Sequence, residues 1–133
     1  MFDSVTYAMT ARKDGDVLRV HVTGERTRQA LEAVSKDIME ACAQAGTHKL
    51  LIDVREFRGR LSLSDNFEVP SKEFRKLPHL NLLAASAVVD DPVNEQRFAF
   101  FEDVARAQGY NFRIFGNLTS AIQWLDTQNG RRP

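Results

Sequence analysis

The chain has 133 residues and a mass of 15.1 kDa, the size of one domain. Folding such a chain buries about two thirds of its extended surface, enough for a core without metals or disulfides. Hydrophobic residues make up 43% and charged residues 27%, which excludes an intrinsically disordered chain, and 18 basic residues balance 18 acidic ones, so phosphate neutralisation has no cationic excess to draw on and no nucleic-acid partner is expected.

One cysteine, Cys42, excludes an internal disulfide and points to a reducing compartment. No run of about 18 apolar residues exists to span a membrane, so no stable membrane insertion is expected. The opening MFDSVTYAMTARKDG lacks the basic-then-apolar pattern of a signal peptide. The expectation is a cytoplasmic, single domain over residues 1–128 with a flexible tail, 129–133.

The elements follow in chain order. Thr6 to Arg12 and Val17 to Thr23 predict a hairpin around Lys13-Asp14-Gly15-Asp16. Leu18, Val20 and Val22 alternate with Arg19, His21 and Thr23, so one face is buried and Gly24 ends the strand. A helix is predicted from Thr27 to Ala45 on Leu31, Val34, Ile38, Ala41, Cys42 and Ala45, with Thr27 as N-cap and Gly46 as stop. Lys49 to Val54 is a nearly continuous apolar run, which suits a strand covered on both faces. Glu56 to Arg60 reads as a loop, and Ser62 to Asp65 as a helix start. Pro70 divides the next stretch into a short helical piece and a second one, Ser71 to Lys76, stopped by Pro78.

Leu82 to Val89 predicts another buried strand. Asp90-Asp91-Pro92 opens a helix that runs to Gln108, with Val93, Phe100, Phe101, Val104 and Ala105 as its apolar stripe and Phe98 off it. Asn111 to Phe115 is a short strand, and Leu118, Ala121, Ile122 and Leu125 mark the last helix. The fold class is therefore α/β: a mixed, mostly parallel sheet of four to five strands that opens with a hairpin, with helices mainly on one side.

Three stretches in this order carry a family resemblance. They are Val17-Leu18-Arg19-Val20-His21-Val22-Thr23-Gly24 before a helix, Lys49-Leu50-Leu51-Ile52-Asp53-Val54, and Phe112-Arg113-Ile114-Phe115-Gly116-Asn117-Leu118 followed by Ala121-Ile122-Gln123-Trp124-Leu125. The chain resembles, over Tyr7 to Leu125, the SpoIIAA-like group of the STAS superfamily (sulfate transporter and anti-sigma factor antagonist domains). The resemblance implies a STAS-like sheet and a non-enzymatic, regulatory, protein-binding role. In the antagonists a serine at the helix after the third strand is phosphorylated, and laying Asp53 on the family's aspartate puts Ser62 at that register. Leu61 stands where the motif has a further aspartate, and Leu63 and Ser64 stand where it has Ser-Gly. Small hydrophobic ligands are among the suggestions for the SpoIIAA-like group.

The residues supply candidates of their own. Asp53, Arg55, Arg58 and Arg60 form a partner or anion contact, since arginine forks suit carboxylate and phosphate; a solvated loop is the plain alternative. Ser62 and Ser64, at a helix start beside those arginines, are candidate phosphoacceptors. Phe57, Phe67, Phe74, Phe98 and Phe101 form core, interface or an apolar pocket. Phe100 lies about 200° round the helix from Phe98, so one sheet cannot cover both.

Asp90 and Asp91 follow a strand's carboxyl end, where α/β proteins often bind ligands, but capping of the next helix explains both. Cys42 is read as a buried structural thiol. His21, His48 and His79 are scattered surface or edge histidines with no metal or triad spacing. No cofactor is expected, because the phosphate-cradling glycine motifs are missing. An enzymatic reading rests only on Asp53, His79 and the carboxylates near Asp90. The expected partners are an unidentified protein, a second copy in a homodimer, and, as the alternative, a small apolar, lipid-like ligand held between the middle helical segment and the third long helix.

Overall fold

The computed structural model describes residues 7–59 and 61–128. Thr6, Arg60 and the tail 129–133 lie outside the described residues. The strands are β1 (Tyr7–Asp14), β2 (Val17–Glu25), β3 (Lys49–Arg58), β4 (Ala85–Val89) and β5 (Phe112–Phe115). The helices are α1 (Arg28–Ala45), α2 (Leu63–Glu68), α3 (Glu95–Ala107) and α4 (Leu118–Asp126). The strands lie in sequence order in one sheet; β1 and β2 are antiparallel and the other neighbours parallel. This is the α/β class that the alternation of elements predicts.

The hairpin is tighter than expected. Asp14 pairs with Val17, so the loop is the two residues Gly15 and Asp16 and the strand extends past Arg12. Helix α1 begins where its cap places it: Thr27 is extended and its side chain accepts from the Ala30 amide. Gly46 closes it in the left-handed conformation, its amide bonded to the Cys42 carbonyl.

Leu18, Val20, Val22, Leu50, Ile52 and Phe112 share the sheet face covered by α1, α3 and the middle segment. Leu51, Ala85, Ala87 and Val89 share the other face, covered by Ala121 and Leu125 of α4. Most helical cover is thus on one side.

Three departures from the sequence reading sit in the centre of the chain. Strand β3 continues through Glu56, Phe57 and Arg58, where a loop is predicted. It can do so because β2 continues too, with Thr23 opposite Glu56, Gly24 opposite Phe57 and Glu25 opposite Arg58. Between these pairs and His21–Asp53, β3 carries one extra residue, a β-bulge. The bulge changes the inward parity from Leu50, Ile52 and Val54 to Phe57, which is 1% exposed. Strict alternation fails at that point, so the strand looks like a loop.

Pro70 does not divide the middle segment. Helix α2 runs into a π turn, Val69–Glu73, and then a 3₁₀ turn, Phe74–Lys76. The wider turn accommodates the missing proline amide, and the Ser71 hydroxyl donates to the Phe67 carbonyl at 2.6 Å. Nor does Pro78 stop the helical course: it starts a 3₁₀ turn, Pro78–Leu82. That turn takes up Leu82, so β4 begins at Ala85 and not at Leu82.

Helix α3 is rotated from its predicted stripe. Phe98 and Ala105 are buried, with Phe101 packed beside them, while Val93 is 80% exposed and Phe100 is 38% exposed. The inward face is therefore Phe98, Phe101 and Ala105, at steps of three and four. Phe74 from the middle segment fills the centre of an aromatic cluster, with ring centroids 5.9 Å from Phe101, 5.7 Å from Tyr110 and 5.9 Å from Phe112. Such pairs add about 0.5–1.5 kcal/mol each beyond their burial.

Candidate functional site

Two features stand at the carboxyl end of the parallel strands, where open α/β sheets place ligands. The first is an ion pair that the sequence does not announce. Arg26 leaves β2 one residue before the α1 cap, and its amide donates to the Arg58 carbonyl. Its guanidinium reaches across the sheet. Nη1 and Nη2 meet the two Asp90 carboxylate oxygens at 3.0 and 3.1 Å, a two-pronged pair. Nε donates to the Phe57 carbonyl at 2.9 Å and Nη2 to the Val54 carbonyl at 3.1 Å.

The charged plane also lies 5.4 Å from the Phe57 ring centroid. The two side chains are only 14% and 9% exposed. Asp90 in addition accepts from the Asp91 amide and the Asn94 side chain. Asp91 alone caps the next turn, through the Val93 amide, so the reading of both aspartates as caps fails for Asp90. Gly59 lets the chain pass: its φ is +142°, and a Cβ there would lie 2.6 Å from the Arg26 carbonyl oxygen.

Behind this pair is a cavity of about 130 Å³ between the sheet, α1 and α3. Val34, Ile38, Ile52 and Phe57 line it with Phe98 and Phe101, and Arg26 and Asp90 stand at its polar end. Phe57, Phe74, Phe98 and Phe101 thus surround one space. Phe67 does not join them; it is 48% exposed on α2.

The second feature is the start of α2. Ser62 is its N-cap and its hydroxyl accepts from the Asp65 amide at 3.0 Å. Leu63 is 74% exposed, and Phe67, one turn on, shares its outward face. The opposite side is anchored by Arg28 of α1, which pairs with Glu32, Asp65, Glu68 and Glu73. The Glu68 and Glu32 hydrogen bonds, more than the others, hold the guanidinium in its charged form. Partial burial raises the Glu73 carboxyl, but the Lys76 and Arg28 hydrogen bonds together outweigh it and set the group below its usual value. The signal for this cluster is in the sequence: Asp65, Glu68 and Glu73 recur along one helical segment and need a cation.

The predicted contact residues divide between two sides. Asp53 points to the α4 face, where it accepts from the Arg55 guanidinium at 2.9 and 2.7 Å and from the Arg55 amide. The Arg55 hydrogen bond lowers the Asp53 carboxyl below the usual aspartate range. His21 meets Glu56 at 2.9 Å on the same face. Arg58 is exposed in the extended β3, and Arg60 lies outside the described residues. Ser62 and Ser64 are exposed near the other side of the sheet. Cys42 is fully buried, and burial pushes its thiol up to about 11, against a smaller lowering from Thr47. Among the described residues no helix is long and apolar enough to cross a membrane, and no group of three His, Cys, Asp or Glu is placed to hold a metal ion.

Comparison with known proteins agrees with this architecture. The family model described as SpoIIAA-like matches residues 17–126. No match was found among curated proteins. Among solved structures, an anti-sigma factor antagonist from Mycobacterium paratuberculosis superposes with a TM-score of 0.61 at 14% identity, covering 95% of this chain and 99% of that one. A protein of the DUF3478 family with a SpoIIAA-like fold, from Shewanella loihica, superposes with a TM-score of 0.54 at 22% identity, covering 94% and 98%.

Proposed function

The chain belongs to the SpoIIAA-like family, and from that membership we propose that it is a non-enzymatic regulatory module that works in the cytoplasm by binding a protein partner, itself as a homodimer. The observation that carries this is the start of α2. Leu63 and Phe67 present two large apolar side chains to solvent, one turn apart, on a segment fixed by its three carboxylates, Asp65, Glu68 and Glu73, around Arg28. Exposed apolar anchors on a rigid, charged support are what a protein interface core requires. Arg58 and Arg60, which precede α2 in the sequence, are assigned a partner or anion contact in this reading, and Asp53 with Arg55 marks the far face for a separate one. The likeness to an anti-sigma factor antagonist supports a protein as the partner.

Ser62 and Ser64 are the modification points in this reading. A phosphate on Ser62 would modify the hydroxyl that caps α2 and add negative charge at the helix start, three residues before Asp65, so it changes the cap and the electrostatics of this surface. Affinity capture from the native host tests the module. Leu63→Ser/Phe67→Ser is expected to lose the partner and Arg58→Ala/Arg60→Ala to weaken it; unchanged recovery with both pairs removes α2 from the function. Intact-mass analysis of the isolated protein tests the serines, and the complete lack of a phosphate adduct on them would retire the switch.

The cavity favours a second reading, a carrier or sensor of a small apolar ligand. At about 130 Å³ it is close to the roughly 150 Å³ that takes a benzene ring and smaller than the roughly 300 Å³ at which drug-sized sites begin. It therefore takes a ring or the end of a chain. A fluorescent fatty-acid probe whose affinity is the same for Phe101→Ala as for the wild type would sink this reading.

A further inference from the structure

The two edges of the sheet are finished differently. Strand β5 is four residues long, and α3 closes it: Glu102 accepts from the Ile114 amide at 3.0 Å and Arg106 donates to the Phe112 carbonyl at 3.5 Å. Strand β1 is eight residues long, carries no proline or bulge, and is exposed along most of its length. Among the described residues no strand pairs with this edge, and a long unpaired edge is a template for another strand. Because a two-residue loop is closed by the hydrogen-bonded pair Asp14–Val17, alternate residues of β1 bond to β2 and the others face outward. The outward backbone groups are those of Tyr7, Met9, Ala11 and Lys13.

We propose that β1 pairs antiparallel with β1 of a second copy, with the two-fold axis at Thr10, so that the sheet continues through the dimer. This deepens the homodimer reading given above by naming its surface. In that register Tyr7 faces Lys13 of the second copy, Ala8 faces Arg12, Met9 faces Ala11 and Thr10 faces Thr10. The Tyr7–Lys13 and Met9–Ala11 pairs each exchange two hydrogen bonds, which uses every outward group of the strand.

No charged residue faces a like charge. Moving the axis to Arg12 or Lys13 opposes like charges, and moving it to Ala11 puts Tyr7 opposite Gly15, off the strand. A lysine on an edge ordinarily repels a partner. Here the Lys13 ammonium is turned onto the α1 side, donating to the Ala45 carbonyl at 3.1 Å. A net charge of zero removes long-range repulsion between copies.

Cysteine cross-linking of the full chain tests the register, since the one native thiol is buried. Facing non-hydrogen-bonded residues lie about 4.5 Å apart at Cα, within disulfide range. Under mild oxidation Thr10→Cys is expected to form a covalent dimer, and Ala11→Cys and the α1 surface control Lys36→Cys are not. Ala11→Pro removes an outward amide without touching the β2 ladder; it is expected to keep its circular dichroism spectrum and to dimerise at least tenfold more weakly by sedimentation equilibrium. A dimer that persists in Ala11→Pro and fails to cross-link at Thr10 overturns the β1 edge and leaves the homodimer reading standing. Cross-linking at Ala11 and not at Thr10 overturns the stated register. A monomer at every concentration overturns both.

Discussion

Replacing Asp90 by alanine tests whether Arg26 fastens the ends of the parallel strands. The wild-type pair is two-pronged, and its side chains are 14% and 9% exposed. Removing one partner of a buried pair costs about 3–5 kcal/mol, because the other charge stays behind. Arg26 would keep the Val54 and Phe57 carbonyls and the Phe57 ring. Those partners place the expected loss at the lower end, about 3 kcal/mol. For a chain of this length that corresponds to roughly 10 °C in midpoint temperature.

Arg26→Met/Asp90→Leu removes both charges and fills the space with apolar atoms, and it is expected to regain most of the loss. Thermal and urea unfolding of the four proteins forms a double-mutant cycle. A loss under about 1 kcal/mol for Asp90→Ala is the value of an exposed pair; it would show that solvent reaches the site and that the strand ends hold without this bridge.

Three further outcomes are expected. Gly59→Ala forces a Cβ against the Arg26 carbonyl oxygen at a backbone angle that alanine avoids, so urea titration is expected to show a loss of more than about 1 kcal/mol. Asp53 and Glu73 both titrate below their usual values when folded. Their contribution is therefore complete above the unfolded values near about pH 4 and is lost as the pH falls through the lower folded values; Arg55→Ala is expected to flatten that acid limb, and an unchanged acid profile would refute the assignment. Cys42 is buried, with its thiol pushed up to about 11, so a disulfide reagent at about pH 8 is expected to label it only in denaturant.

Elements whose local rules agree with their packing were legible in the sequence. Thr27 and Gly46 bracket α1, and the alternation in β2 assigns its buried face, because cap chemistry and period both point one way there. The middle segment was not legible, since a proline inside a helix predicts a break unless a π turn takes it up. The α3 stripe differs from the predicted one because three phenylalanines lie within four residues, Phe98 to Phe101, and composition alone does not show which of them faces in.

The candidate site was legible in part. Ser62 was placed at a helix start by its neighbours, and four of the five phenylalanines meet around one space. Arg26 and Asp90 escaped because their partnership spans 64 positions and each has a local explanation, a turn and a cap. Nearness in sequence does not mean nearness in the fold here: Asp53 and Ser62 belong to opposite sides of the sheet, and strand parity at Asp53 is the signal that separates them.

The extra residue in β3 works as a reading-frame shift for polarity. Before it, even-numbered side chains enter the core; after it, Phe57 enters and Glu56 and Arg58 face out. A deletion of one residue at Val54 or Arg55 removes the bulge and restores one-to-one pairing with β2, so Phe57 stays opposite Gly24 on the core face and Glu56 and Arg58 stay outward. The bulge, and not the residues after it, is therefore what interrupts the polarity pattern. A homologue that lacks the extra residue is expected to show uninterrupted alternation of apolar and polar residues to the end of the strand.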